Sequence, residues 1–426
     1  MNLNLWADSH SDEQHETPLP ATAVKLSHAM SQRRVEAAML SSLRAWLLTD
    51  YAAAYCRSLR ATPLYRRCYW IDAWGLDPRS TAALPASENG KNAQSQKRAQ
   101  KKKAEQPVSP LLQPIVQLSR TLTEECPTRP FALHGIMLEE RAAPKNAGAA
   151  TTREQPTWPR ESGIVRADWR EHGASLLAAI EQAPAIFLLN PFGQTLFVHD
   201  DLAPLYQRTT APTELCLLIS HIQIERHVTA SARNPNAAAA LTALLRTDRW
   251  KALAAEHDSL TKIGGVIDLL HATVRKHLPF VQSLSVPVIR QAAVVADAPY
   301  TLLFATRRMD SLFSMNDAVC LHHRRLEEES RRGLLSETWF ATQQAERLAQ
   351  EQQTLYDEII RHGHTQRIRR WPDLRQQLLL SHFGRYPLAE YDAVIQRLLR
   401  EGSVRCQWRK QGYEPIPGID DVLLWT

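Results

Sequence analysis

Four polar residues follow apolar runs at places where a folded sheet would present them at its rim: Asp72 after YWI, Glu139 after HGIML, Asp168 after SGIVRA and Asn190 after AIFLL. Carboxylates in such positions accept hydrogen bonds from ligand hydroxyls, and when clustered they can hold Mg²⁺ for two-metal hydrolysis. Asp and Asn also bond neighbouring backbone N–H groups, so capping and turn formation stand as the alternative. Behind Asn190 come Pro191 and Phe192. An amide carbonyl there can take a ligand amine and an aromatic ring can stack on an extruded base; the bland alternative is a strand-terminating turn.

A second set of candidates is cationic and lies near the C-terminus: Arg369, Arg370, Arg397, Arg400, Arg405, Arg409 and Lys410. Their spacing lets several of them reach one phosphate backbone, so the tail is expected to contact DNA or RNA, with protein docking as the alternative. Upstream, ENGKNAQSQKRAQKKKAEQPV is rich in lysine and poor in apolar residues, which suits a solvated insertion over 80–108 or a further phosphate contact.

Several chemistries have no support. The sequence holds no G-x-x-x-x-G-K-[ST] phosphate loop and no G-x-S-x-G elbow. The pairs His322-His323 and His362-Gly363-His364 lack a cysteine or carboxylate at ligand spacing, so no metal site is expected. No lysine accompanies the carboxylates at the spacing a Mg²⁺ nuclease calls for. Cys56, Cys68, Cys126, Cys216, Cys320 and Cys406 are widely separated, with no C-x-x-C pair, and read as reduced thiols. The N-terminus is polar and acidic, and no stretch reaches the roughly 18 to 20 apolar residues of a membrane span. The expectation is a cytoplasmic protein without membrane contact.

The elements that would position these residues alternate between strand and helix. The middle of YRRCYWIDAWG, closed by Asp72, and FALHGIMLEE, SGIVRADW and APAIFLLNPFG read as strands one to four, and SPLLQPIVQLSRTLTE as a helix between the first two. TELCLLISHIQ reads as a fifth strand. VIRQAAVVADAPYTLLFATRR reads as an antiparallel pair turning at Asp297-Ala298-Pro299. This order predicts an α/β fold with a doubly wound, Rossmann-like sheet, whose ligands bind outside the carboxyl ends of the strands.

The 426 residues divide into an N-terminal tail with helices that pack on the core (1–62), the sheet domain (63–322), a charged helical connector (323–365) and a small terminal domain (366–426). In the last, DLRQQLLLSHFG and PLAEYDAVIQRLLREG read as helices and SVRCQWRKQGYEPIPG as a β-hairpin, the pattern of a winged helix. The formal charge of +6 is modest for this length. Its concentration in the insertion and the tail, rather than its total, is what points to nucleic acid.

YWIDAWG, SPLL at Ser109 to Leu112, LLNPFG at Leu188 to Gly193 and YTLLFATRRMDSLFSMNDAV at Tyr300 to Val319 together resemble the three-Cys-motif partner proteins. The resemblance implies a fold like that of class I S-adenosylmethionine-dependent methyltransferases, and a partner protein carrying three cysteines of the radical iron–sulfur type. On that basis Asp72 and Gly75 would face the amino-acid part of the cofactor, Glu139 its ribose and Asp168 its adenine, with Asn190, Pro191 and Phe192 at the substrate. The chain departs from the family at the loop after the first strand. Leu76 and Pro78 replace two glycines, and where a glycine loop brings backbone close to a cofactor, leucine resists positive φ and proline excludes it. Two functions follow: a nucleic-acid-associated methyltransferase-like protein in a complex, its pocket degenerate, or a scaffold subunit without enzyme activity that docks a partner on DNA or RNA.

Overall fold

The computed structural model describes residues 40–74, 109–139, 156–290, 293–331, 337–366, 368–409 and 416–426. The sequence positions Gly75, Leu76, Pro78 and Lys410, and the insertion 80–108, lie outside them. Contacts divide the chain into Met1–Leu43 and Arg44–Thr426, and the second unit carries every site discussed below.

This unit opens with a π-helical segment, Leu47–Ala52, running into α1 (Ala53–Ala61). Its sheet is built from β1 (Arg67–Ala73), β2 (Ala132–Glu139), β3 (Gly163–Arg166), β4 (Ala185–Leu189), β5 (Thr213–Ser220), β6 (Phe280–Arg290) and β7 (Ala293–Thr306). Their order across the sheet is β3-β2-β1-β4-β5-β7-β6. Strands β1 to β5 are parallel, whereas β7 runs antiparallel between β5 and β6. The chain is therefore α/β with a mostly parallel, Rossmann-like central sheet. β4 and β5 are buried at every residue. A strand covered on both faces needs apolar side chains on both, which is why AIFLL and LCLLI are unbroken runs rather than alternations.

Helices α2 (Gln113–Glu124), α3 (Trp169–Ile180), α4 (His199–Gln207), α5 (His221–Arg233), α6 (Pro235–Leu245), α7 (Trp250–Ala254) and α8 (Ser259–Arg275) fill the connections between the strands. A hydrophobic core cluster joins Phe187, Leu189, Leu215, Leu217 and Leu303 of the sheet to Leu176 of α3, Leu205 of α4, Ile224 of α5 and Leu270 of α8.

The turn expected at Asp297-Ala298-Pro299 is instead a bulge inside β7. Val286 pairs with Tyr300 and Val288 with Val295, so two residues of advance on β6 face five on β7. Pro287 and Pro299 both lack the N–H a ladder requires, which accounts for the shift of register there.

Beyond the sheet come α9 (Met309–Arg331), α10 (Glu337–Gln366), α11 (Trp371–Ser381) and α12 (Leu388–Glu401), then β8 (Val404–Gln407) paired antiparallel with β9 (Val422–Trp425). Both tail helices fall where the sequence put them, and Gly402 ends α12 in the left-handed conformation. The hairpin is wider than expected. Its second strand is VLLW at the end of the chain, beyond the YEPIPG stretch whose prolines cannot donate to a ladder. Trp371, Leu374, Leu378, Tyr391, Ile395, Leu398, Val404 and Leu423 form the buried centre of the tail with Leu355 and Ile359 of α10. The tail is seated on the sheet domain through the α11–α12 turn. There Leu388 N–H donates to Asp317 Oδ1 at 2.8 Å, and Gln282 Nε2 on β6 donates to the Leu380 carbonyl at 3.2 Å.

Among the described residues no helix is long and apolar enough to cross a membrane, and no group of three or more His, Cys, Asp or Glu could hold a metal ion. All six cysteines are free, and four of them are buried.

Candidate functional site

Strand order reverses between β1 and β4, so the crevice at a topological switch point opens beside the carboxyl ends of these two strands. Asp72 stands there, paired in register with Met137 of β2 and Leu188 of β4 and only 2% exposed. Its carboxylate is already engaged. Arg44 donates from Nε to Oδ2 at 2.6 Å and from Nη2 to Oδ1 at 3.2 Å, and the Trp74 amide donates to Oδ1 at 3.1 Å. The guanidinium carbon of Arg44 also lies 5.8 Å from the centre of the Trp74 ring, whose Nε1 donates to the Cys216 carbonyl at 3.4 Å. The N-terminal helical segment thus delivers a cation to the carboxylate that was the first candidate to receive a ligand.

The other two carboxylates also have an arginine beside them, though the one at Glu139 is a solvent-exposed side chain. Glu139 ends β2, with Arg166 Nε at 3.3 Å from its Oε2, and its main-chain carbonyl accepts the Ala167 amide. Asp168 lies two residues beyond β3 and caps α3: Oδ1 accepts the Arg170 amide at 2.9 Å, and the Arg170 guanidinium closes on the same carboxylate. A side chain satisfying an amide of the first helical turn is the usual work of an N-cap aspartate.

Asn190 follows β4 directly. Its Nδ2 is 3.5 Å from Gln223 Oε1 on α5, and its Oδ1 is buried with no hydrogen-bond partner among the described residues. Phe192, two positions on, is fully buried in the core cluster with its ring centre 6.2 Å from that of His227. The loop is closed by a bridge between Phe192 and Leu196, by the Phe197 amide donating to the Pro191 carbonyl at 2.9 Å, and by His227 Nε2 2.9 Å from the Gly193 carbonyl. Asn190 therefore keeps an unpartnered, buried acceptor just beyond β4, while Phe192 is a core residue with no ring face turned to solvent.

In the tail, Arg397 donates to Glu401 Oε1 at 2.8 Å and to Gln353 Oε1 at 3.4 Å, and its guanidinium sits 4.5 Å from the Tyr356 ring of α10. Arg400 bonds the Gln396 carbonyl of its own helix, and Arg409 lies 3.5 Å from Asp420. Arg369, Arg370 and Arg405 are exposed and unpaired among the described residues.

Comparison with protein-family models, curated proteins and solved structures finds no match.

One buried group escaped sequence reasoning. Glu214, the second residue of β5, is wholly buried; Tyr51 of the π-helical segment donates to its Oε2 at 3.1 Å, and Ser311 Oγ is 3.0 Å from the same phenol. Burial raises its carboxyl to about 7, opposed by hydrogen bonds from Ser311, Thr306 and Tyr51. It sits at the amino end of β5, opposite the crevice, and ties the π-helical segment to β5 and α9. The signal was a single carboxylate inside an otherwise apolar strand.

Proposed function

We propose that the chain is a cytoplasmic, methyltransferase-like scaffold subunit with a degenerate S-adenosylmethionine pocket, which docks a protein partner on nucleic acid through its C-terminal winged-helix-like tail. The observation that carries this reading is the Arg44–Asp72 pair. A carboxylate whose oxygens already accept three N–H groups has little left for a ligand, and displacing Arg44 would leave two charges at the crevice without partners. Arg166 and Arg170 on the two neighbouring carboxylates support the same conclusion. A doubly wound sheet closed by an antiparallel β7 between β5 and β6 supports the methyltransferase-like assignment. The resemblance to three-Cys-motif partners adds the expected partner, a three-cysteine radical-type protein.

A second reading has one observation in its favour. The buried, unpartnered Oδ1 of Asn190 is an acceptor suited to a ligand amine, as an active amino-group methyltransferase requires. Calorimetric titration with S-adenosylmethionine and S-adenosylhomocysteine separates the two. No heat at millimolar ligand agrees with the scaffold. Micromolar binding that is lost in Glu139→Ala overturns it and restores an enzyme.

A further inference from the structure

We infer that the nucleic-acid surface of the tail is the outer face of its hairpin and not its second helix, and that its ligand is an unpaired strand. This rests on the tail reading proposed above. Of the α12 cations, Arg397 is turned toward α10, while Arg400 is exposed and donates to the Gln396 carbonyl of its own helix. Arg397 is matched by Glu401 and lies against Tyr356, and Tyr356 Oη in turn donates to Glu401 Oε2 at 2.7 Å, so this end of α12 is fastened to α10.

The hairpin is different. Side chains alternate across a two-stranded sheet, and the register places Val404 with Trp425 and Cys406 with Leu423 on the face turned to the tail core. Arg405 opposite Leu424 and Gln407 opposite Val422 make the other face, of which Arg405, Gln407 and Leu424 are exposed. The chain before α11 runs along the free edge of β9: the Leu423 amide donates to the Arg369 carbonyl at 2.7 Å, and Trp425 Nε1 to the Ile368 carbonyl at 3.0 Å. Exposed Arg369 and Arg370 therefore border the same small sheet. Trp408, the first residue beyond β8 and so free of the strand's alternation, is 42% exposed, and Leu424 is 38% exposed.

Arg369, Arg370 and Arg405, without carboxylate partners among the described residues, lie with an exposed leucine and, beside the Arg409–Asp420 pair, an exposed indole, a surface for a polyanion that also carries apolar faces. A duplex shows phosphates on its outside and would set them against Leu424 and Trp408. An unpaired strand offers its phosphates to Arg369, Arg370 and Arg405 and can lay its bases on the apolar side chains, as stacking platforms do.

The test is fluorescence anisotropy of the full-length chain with labelled oligo-dT and oligo-U of about 12 nucleotides and a duplex of equal length, across a salt series. The single strands should bind at least tenfold more tightly than the duplex. Arg405→Ala and Arg369→Ala should each weaken binding and make the salt dependence shallower, by somewhat less than one phosphate contact apiece. Trp408→Ala should cost roughly tenfold with the salt dependence unchanged, because stacking releases no counterions. All three positions are exposed, and unchanged thermal midpoints of the variants will show that the fold is intact. Preference for the duplex, or a loss in Arg397→Ala as large as in Arg405→Ala, overturns the hairpin assignment while leaving nucleic-acid docking by the tail in place. Absence of binding to every oligonucleotide at about 50 mM salt overturns both.

Discussion

Asn316 holds Gly384 in place from 68 residues away: its Oδ1 accepts the Gly384 amide at 2.9 Å, and its Nδ2 donates to the Tyr386 carbonyl at 2.9 Å. Asn316 is fully buried on α9, and Gly384 has φ +77 in the turn between α11 and α12. A Cβ at Gly384 would come within 2.6 Å of Val319 Cγ1, one turn further along α9. Glycine meets both demands here, a left-handed backbone and a close approach. The tail is thereby keyed to the sheet domain rather than tethered to it.

Asn316→Ala should accordingly destabilise the protein by about 2–4 kcal/mol, since it leaves an amide and a carbonyl buried without partners. Hydrogen exchange should localise the damage to the α11–α12 turn. If the denaturation midpoint shifts but exchange at Gly384 and Tyr386 stays slow, the turn is held by something else.

The Arg44–Asp72 pair makes a sharper prediction. Asp72→Ala or Arg44→Ala alone should cost about 3–5 kcal/mol, because each strands a charge at a site where its partner was buried, and the double variant should recover much of the loss. A double-mutant cycle in urea measures the coupling. Additive losses would mean that the two side chains do not depend on each other.

Strands β1, β4 and β5 were legible because burial on both faces turns a strand into a continuous apolar run, and Asp72 and Asn190 stood out as the polar residues ending two of them. Arg44 was not legible as the neighbour of Asp72. A single cation on an amphipathic helix carries no record of what it faces, and the pairing spans 28 positions. VLLW was missed because a four-residue apolar run fits a strand, a helix end or a loop equally well, and only its partner across the hairpin decides. Asp297-Ala298-Pro299 has turn chemistry but sits in a bulge, since proline interrupts a ladder as readily as it starts a turn. The arginines beside Asp72, Glu139 and Asp168 were visible only in three dimensions.

His322 should set an acid limit on stability. It stacks on Trp46 with ring centres 4.7 Å apart, and burial, followed by the charges of His323 and Arg325, lowers it to about 4. The folded state keeps it neutral while the unfolded chain takes up a proton near pH 6.5. Its stabilisation is thus complete above 6.5 and is lost as pH falls toward 4, by up to about 3 kcal/mol. His322→Phe should flatten that decline in urea titrations between pH 4 and 7. An unchanged slope would assign the decline to other groups.

Glu214 acts in the opposite direction. With its carboxyl raised to about 7, the folded protein holds a proton that the unfolded chain releases near the ordinary glutamate value. The unfolded state therefore binds fewer protons between about 4.5 and 7, and stability falls as pH rises through that window, by about 3 kcal/mol in all. Below it the contribution is fully present; above it the carboxylate is charged, buried and short of partners, since its Oε1 has no hydrogen bond among the described residues. Glu214→Gln keeps the shape and the acceptor for the Tyr51 hydroxyl but cannot ionise. It should leave stability at pH 5 nearly unchanged, raise it at pH 8 by about 2–3 kcal/mol, and reduce the slope between them. Paired urea titrations at the two values read this directly. A variant as pH-sensitive as the wild type would show that Glu214 is ionised in the folded protein throughout the range, and that the link between the π-helical segment, β5 and α9 is an ordinary charged hydrogen-bond network.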